Sequence, residues 1–190
     1  MSECAKLVNS GMVTVRVKAA SKLDKAMADA RKAAIEKREL DICEVANYLY
    51  CGVRVIGGSE TCLQFLEKNQ EKYNIQVLKR LAVSAAFHTR QMESAVAKAF
   101  TNVEMQRAVC NVYSNYTGQV LPTKRSDIRG AVAKQVNSPV KWEQIQQVLF
   151  RKHQDEKFPR FYEVGPGRQL GAMLLQTSKK AHKSYTHFSC

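Results

Sequence analysis

The 190-residue chain predicts an α/β fold in two parts. Hydrophobic periodicity alternates strand and helix through residues 11–84 in the order β-α-β-β-α-β, and beyond them longer helical stripes alternate with short apolar strands. With 45% hydrophobic and 25% charged residues, the chain has enough apolar material for a core, which excludes disorder throughout. Its length suits one large domain or two small ones.

The first strand is read from Val13, Val15 and Val17 alternating with Thr14, Arg16 and Lys18, the period of a half-buried strand. Ser21 and Asp24 resemble a capping box, and Leu23, Ala26, Met27, Ala30 and Ala34 then form one stripe of a helix ending near Arg38. Residues 40–50 and 53–56 read as two strands joined at Cys51 and Gly52, with Gly57 and Gly58 stopping the second. Ser59 caps a second helix that carries Cys62, Phe65 and Leu66 on one face and runs towards Tyr73, and residues 75–83 supply a fourth strand. That order is the split βαβ, or ferredoxin-like, arrangement, with two helices on one face of a four-stranded antiparallel sheet. It serves many unrelated functions, so function has to come from particular residues.

Past Val83 the texture resembles half of an open α/β layer. Residues 92–100 read as helix and residues 108–113 as strand, and Pro122 with Lys124 and Arg125 marks a loop. Ser126 caps a helix with Ile128, Val132 and Val136 at i, i+4 and i+8. Ser138 and Pro139 stand at N-cap and N1 of the next helix, which buries Trp142, Ile145 and Leu149. Residues 161–164 form a short buried strand, and Gly165-Pro166-Gly167 turns into a last helix with Leu170, Met173 and Leu174 on its apolar face.

Thirty Lys plus Arg against 17 Asp plus Glu leave a charge of +13. Such a balance suits nucleic acid, an anionic membrane surface, an acidic protein or a phosphorylated ligand, or else a solvated basic face. RNA is disfavoured because the strand expected to carry stacking aromatics reads CGVRVIGG and has none. No apolar run reaches membrane-spanning length, and the first residues show neither an apolar signal core nor an Arg-rich presequence. The six cysteines, Cys4, Cys43, Cys51, Cys62, Cys110 and Cys190, include no CxxC pair and read as reduced thiols.

Phosphate-loop, dinucleotide and zinc-protease motifs are absent, no metal-ligand cluster is visible, and no serine stands between glycines at GxSxG spacing. His153, His182 and His187 lie in polar surroundings and read as surface residues. His88 differs, because it follows the apolar residues 81–87 just past a predicted strand, where loops present catalytic groups above a sheet. The plain alternative is a half-buried histidine bonded to a backbone carbonyl.

Three segments, residues 86–90 (AFHTR), 137–142 (NSPVKW) and 161–170 (FYEVGPGRQL), together resemble the malonyl-CoA:acyl carrier protein transacylase family, closest to its mitochondrial form. VNSGMVTV and CEVANYLY extend the resemblance over nearly the whole chain. It implies a ferredoxin-like small subdomain at residues 11–84 and, at 85–190, the carboxy-terminal part of an α/β-hydrolase-like acyltransferase core. It also implies transfer of malonyl from CoA to a serine, then to the phosphopantetheine thiol of acyl carrier protein, in the mitochondrial matrix and with no bound cofactor. By the same resemblance His88 is the general base and acid, and the main-chain carbonyl of Gln135 orients it. The resemblance also implies that Phe87 selects malonyl over branched acyl groups, since a ring beside the α-carbon leaves no room for a methyl branch. Arg90, Lys124, Arg125 and Arg168 are candidates for a surface that meets the acidic carrier protein and the phosphates of CoA.

The departure from the family is the nucleophile. Met1 matches an internal methionine of the family, so the GHSxG serine, the oxyanion-hole donors and the arginine for the malonyl carboxylate are not among these residues. A base without its nucleophile cannot run covalent transfer, so the chain alone is expected to be inactive. The alternative is a catalytically inactive truncated paralogue acting as an interaction module for acyl carrier protein. Apolar faces around Val132, Trp142 and Leu170 are expected to lack partners.

Overall fold

The computed structural model describes residues 8–98, 103–152 and 159–190. It is a mixed α/β structure whose larger sheet has the order β2-β3-β1-β4. β1 (Ser10–Val17) pairs antiparallel with β3 (Val53–Ser59) and β4 (Ile75–Arg80), and β2 (Cys43–Tyr50) pairs antiparallel with β3. The valine alternation of β1 decides its faces. Val13 and Val15 pack under α1 (Leu23–Glu36) and α2 (Glu60–Lys68) with Ala26, Ala30, Leu63 and Leu66, all fully buried. Met12 points to the other face, where it joins Ala46 and Val55, with Leu49, Leu81 and Phe87 beside them.

Several sequence expectations shift for local reasons. β3 runs through Gly57 and Gly58 instead of stopping there, and Ser59 follows as a helix N-cap without a side-chain bond. Ser21 does not cap α1. Its hydroxyl donates to the Asn74 carbonyl and accepts from the Lys18 N–H, tying two loops together. Residues 40–42 stay outside β2, and α2 ends at Lys68, after which buried Tyr73 donates to Asp29 at 2.8 Å.

Beyond the sheet, a 3₁₀ turn (Arg90–Met92) leads into α3 (Glu93–Lys98), and the expected end of this helix at 99–100 lies outside the described residues. Residues 108–113 form no strand. Val109 is fully exposed and only Tyr113 makes a bridge, to Val120, because a tight loop through Gly118 turns the chain back on itself. α4 (Arg125–Lys134) buries Ile128 and Ala131 at i and i+3, with Val132 and Val136 half-buried, and the Ser126 hydroxyl bonds Asp127 instead of capping. α5 (Trp142–Lys152) starts three residues after Pro139. The delay has a cause: Val140 is drawn to β2, accepting from Tyr48 N–H at 2.8 Å and donating to the Ala46 carbonyl at 2.9 Å. An Arg54–Glu143 ion pair at 2.8 Å, largely shielded from solvent, fastens α5 to β3.

β5 (Phe161–Val164) pairs in parallel with β6 (Tyr185–Phe188), a strand the sequence pattern does not reveal, and α6 (Gln169–Thr177) and α7 (Lys179–His182) lie between them in sequence. β5 is not buried as expected: Val164 is 71% exposed, because among the described residues β6 is its one neighbouring strand. Tyr162, Phe188, Leu170 and Leu175 are exposed too, whereas Trp142 is half-buried. His182 and His187 are not free surface residues. His182 stacks on Tyr185, and His187 Nε2 lies 2.8 Å from the Gly165 carbonyl. His153 lies outside the described residues.

Glu163 holds this smaller layer together. Its buried carboxylate accepts from Leu170 N–H at 2.9 Å and Gly171 N–H at 2.8 Å, the open start of α6, and from the Tyr185 hydroxyl at 2.5 Å. Burial by itself raises the carboxyl, but the Tyr185 hydroxyl and the two amides outweigh it and hold Glu163 below the ordinary range. A depressed folded value stabilises fully above the unfolded one, near about pH 4.3, and the contribution is lost as pH falls through the folded value. Glu163→Gln is therefore expected to lower the thermal midpoint at neutral pH and to flatten its acid limb. Melting curves between about pH 3 and 7 check this, and parallel wild-type and variant curves would overturn it.

Among the described residues no helix is long and apolar enough to cross a membrane, and no group of three metal-ligating side chains occurs. Cys43, Cys51, Cys62, Cys110 and Cys190 are unpaired thiols, and Cys4 lies outside the described residues.

Candidate active site

Leu81 is tied to β1 through its N–H on the Met12 carbonyl, and the chain then leaves the sheet for a turn that presents His88. Ala85 and Ala86 are fully buried at its base. His88 has φ of 60°, the left-handed region that a non-glycine residue occupies at a cost of roughly 1–3 kcal/mol. Side chains close this turn. The Thr89 hydroxyl donates to the Ala86 carbonyl at 2.6 Å, and Gln91 Oε1 accepts from Ala86 N–H at 3.2 Å.

The half-buried His88 ring meets the end of α4. Its Nδ1 lies 2.7 Å from the main-chain carbonyl oxygen of Gln135, the C-cap residue, which would otherwise lack a helical partner. A carbonyl only accepts, so the contact puts the proton on Nδ1 and leaves the lone pair on Nε2. Val136 packs on Ala85 and Met92, and Asn137 donates to Glu93 at 2.8 Å, so the segment after α4 is fastened to the segment after His88.

Phe87 lies between two clusters, touching the one that holds Ala85 and Met92 and the one that holds Met12, Ala46 and Val55. On the sheet face away from α1 and α2 runs a groove of about 580 Å³, lined by Leu49, Val55 and Leu81, which share a cluster with Phe87, and by Gln169 and Met173 of α6. Asn47 also lines this groove, and its side-chain oxygen is buried without a hydrogen-bond partner.

The four basic candidates come from three separate elements. Arg90 is braced, not free: its guanidinium lies 2.9 Å from Asp41 and 2.9 Å from Glu44, so two carboxylates balance its charge locally. Lys124 and Arg125 are exposed at the start of α4, and exposed Arg168 precedes α6. Sequence reasoning missed Thr89, Gln91 and Gly57 as neighbours of the histidine turn. The available signal was the glycine pair inside an apolar strand, which marks close approach of another segment.

No family model matches the chain. It is 39% identical over 190 residues to the human mitochondrial malonyl-CoA-acyl carrier protein transacylase, covering 98% of this chain and 48% of that protein. The probable mitochondrial transacylase of Drosophila melanogaster is 39% identical over 167 residues, covering 85% and 44% of the two chains. The chain spans about half the length of the curated relatives it matches. Among solved structures, the malonyl-CoA-acyl carrier protein transacylase from Clostridium perfringens superposes with a TM-score of 0.75 at 22% identity, over 95% of this chain and 53% of that one. That from Helicobacter pylori gives 0.76 at 16% identity, over 100% and 55%.

Proposed function

We propose that this chain belongs to the malonyl-CoA-acyl carrier protein transacylase family and supplies the acid–base half of malonyl transfer from CoA to the phosphopantetheine thiol of acyl carrier protein. The observation that carries the reading is the 2.7 Å contact of His88 with the Gln135 carbonyl, which leaves Nε2 as a proton acceptor. In the first half-reaction Nε2 takes the proton of a serine hydroxyl as its oxygen attacks the thioester carbonyl. The tetrahedral intermediate expels the CoA thiolate, which takes that proton from the imidazolium. In the second, the carrier thiol gives its proton to Nε2 and attacks the serine ester, and the departing alkoxide recovers the proton.

No serine stands at GxSxG spacing within these 190 residues, and in this reading the nucleophile is a serine that the chain meets from outside them. Phe87, which shares a cluster with groove-lining Leu49, Val55 and Leu81, blocks a methyl branch at the acyl α-carbon and so selects malonyl. Residues 11–84 act as the small subdomain and 85–190 as part of the acyltransferase core. Of the four basic candidates, Lys124, Arg125 and Arg168 are exposed to meet the acidic carrier protein and CoA phosphates, with Arg90 contributing less because Asp41 and Glu44 hold it. The curated relatives are named mitochondrial, and the matrix is the proposed location.

The test is the protein isolated from its source. Its intact mass is expected well above 21.4 kDa, with peptides containing a GHSxG serine and malonyl transfer to the holo carrier protein read by mass spectrometry. A mass of 21.4 kDa without transfer would overturn the enzyme reading and favour a module that binds acyl carrier protein.

A further inference from the structure

Strain at His88 needs a restraint, and the backbone around it offers little. Residues 81–89 make no ladder, yet both polar groups of Ala86 are taken, one by each of two buried side chains further along the chain. Fully buried Thr89 donates its hydroxyl to the Ala86 carbonyl at 2.6 Å, and the Gln91 carboxamide oxygen accepts the Ala86 N–H at 3.2 Å. The two clamps are joined, because Gln91 N–H reaches the Thr89 hydroxyl oxygen at 3.3 Å. Gly57 of β3 presses on the same residue from the sheet: a Cβ there would stand 2.8 Å from the Thr89 methyl and 3.1 Å from the Ala86 Cβ. The ring of His88 leaves a backbone whose direction is set two residues earlier and fixed by residues one and three positions later.

We propose that Gln91, acting with Thr89, is a positioning residue that holds the left-handed turn at His88 so that Nδ1 stays on the Gln135 carbonyl and Nε2 stays free to take a proton. The proposal rests on the reading of His88 as the base. A buried carboxamide acceptor is needed at that place, since without it the Ala86 N–H loses its partner inside the protein, and the turn relaxes to recover one. Relaxation need not unfold anything, since Ala85, Met92 and Val136 still pack; it swings the imidazole off the carbonyl.

The test reads the ring itself, in the full chain labelled with ¹⁵N-histidine. His88 is assigned by its loss in His88→Ala, and the signals of His182 and His187 report the rest of the fold. Wild type is expected to show neutral His88 as the Nδ1–H tautomer with a slowly exchanging ring proton. Gln91→Met, which keeps length but removes the acceptor, is expected to lose that slow proton and shift His88 towards the Nε2–H form that a solvated histidine side chain prefers, with His182 and His187 unmoved. Gln91→Glu, which keeps a side-chain oxygen that accepts whether or not the carboxyl is protonated, is expected to restore the wild-type tautomer. If Gln91→Met unfolds, the isosteric Thr89→Val decides in its place. An unchanged His88 tautomer in whichever variant stays folded overturns the proposal. Unfolding of both overturns it too, since the clamp would then be holding the fold and not aiming one ring. Malonyl transfer enters none of these readings, so its absence refutes the proposed reaction without touching the tautomer result.

Discussion

Replacing His88 by alanine is expected to lower malonyl transfer by roughly 10³- to 10⁶-fold in kcat while leaving the melting temperature nearly unchanged. The lower bound is the ordinary worth of one positioned acid–base group. The upper one applies where a nucleophile and its base act as a unit and losing either disables both. Stability is spared because the ring is half-buried and makes one polar contact, to the Gln135 carbonyl, which helix ends readily surrender to water. The companion variant Gln135→Ala is expected to stay within a few-fold of wild type, since the acceptor is the peptide oxygen and alanine keeps both it and the helix. Single-turnover transfer in the natural protein measures both. A His88→Ala protein that keeps a tenth of the activity would remove His88 from the mechanism, and a large loss in Gln135→Ala would mean that its side chain acts in its own right.

How much of this is legible in the sequence depends on whether neighbours along the chain or distant residues decide each element. The faces of β1 and α1 follow from their own residues: Val13 and Val15 alternate with polar partners, Ala26, Ala30 and Ala34 recur on one stripe, and the residues expected inside are inside. The order of the first six elements, and with it the sheet face beside Phe87, follows from such patterns. Residues 108–113 and Pro139 fail for the opposite reason. The first segment has strand composition but, among the described residues, no strand beside it, and the second has helix-start residues that β2 captures through Val140 before the helix begins. β6 has too few residues to carry a period, and only its pairing with β5 makes it a strand. His88 stands out by its place after an apolar run, yet no local pattern indicates that the C-cap of α4 lies against it. That juxtaposition depends on Val136 packing on Met92 and on the Asn137–Glu93 bond, each linking residues more than forty positions apart.

If His88 is the base proposed above, the alanine variants of Gly57 and Gly58 are expected to fail in different ways, one in transfer rate and the other in stability. Read alone, a glycine pair ends a strand; here the strand continues, and each glycine makes room on its own face of the sheet. A Cβ on Gly58 would stand 2.7 Å from the Ile42 carbonyl oxygen and 3.3 Å from the Cys62 Cβ, on the side covered by the helices. The carbonyl is backbone, already receiving Ser59 N–H at 2.9 Å, so it cannot swing aside, and Gly58→Ala is expected to cost about 1–3 kcal/mol. A Cβ on Gly57 points the other way, 2.8 Å from the Thr89 methyl and 3.1 Å from the Ala86 Cβ, into the turn that carries His88. That turn can shift by some tenths of an ångström more cheaply than the backbone at Ile42, so Gly57→Ala is expected to lose less stability but about 10-fold in transfer rate, part of the roughly 10²-fold that a full ångström of misplacement costs. Thr89→Ser removes the methyl that a Gly57→Ala side chain would strike while keeping the hydroxyl on the Ala86 carbonyl. The double variant is therefore expected to recover part of the lost rate, whereas Thr89→Ser does nothing for Gly58→Ala. Thermal melts and single-turnover transfer on the single and double variants read both axes. Equal rate losses at Gly57 and Gly58, or no recovery in the double variant, would mean that the sheet supports His88 only by being folded.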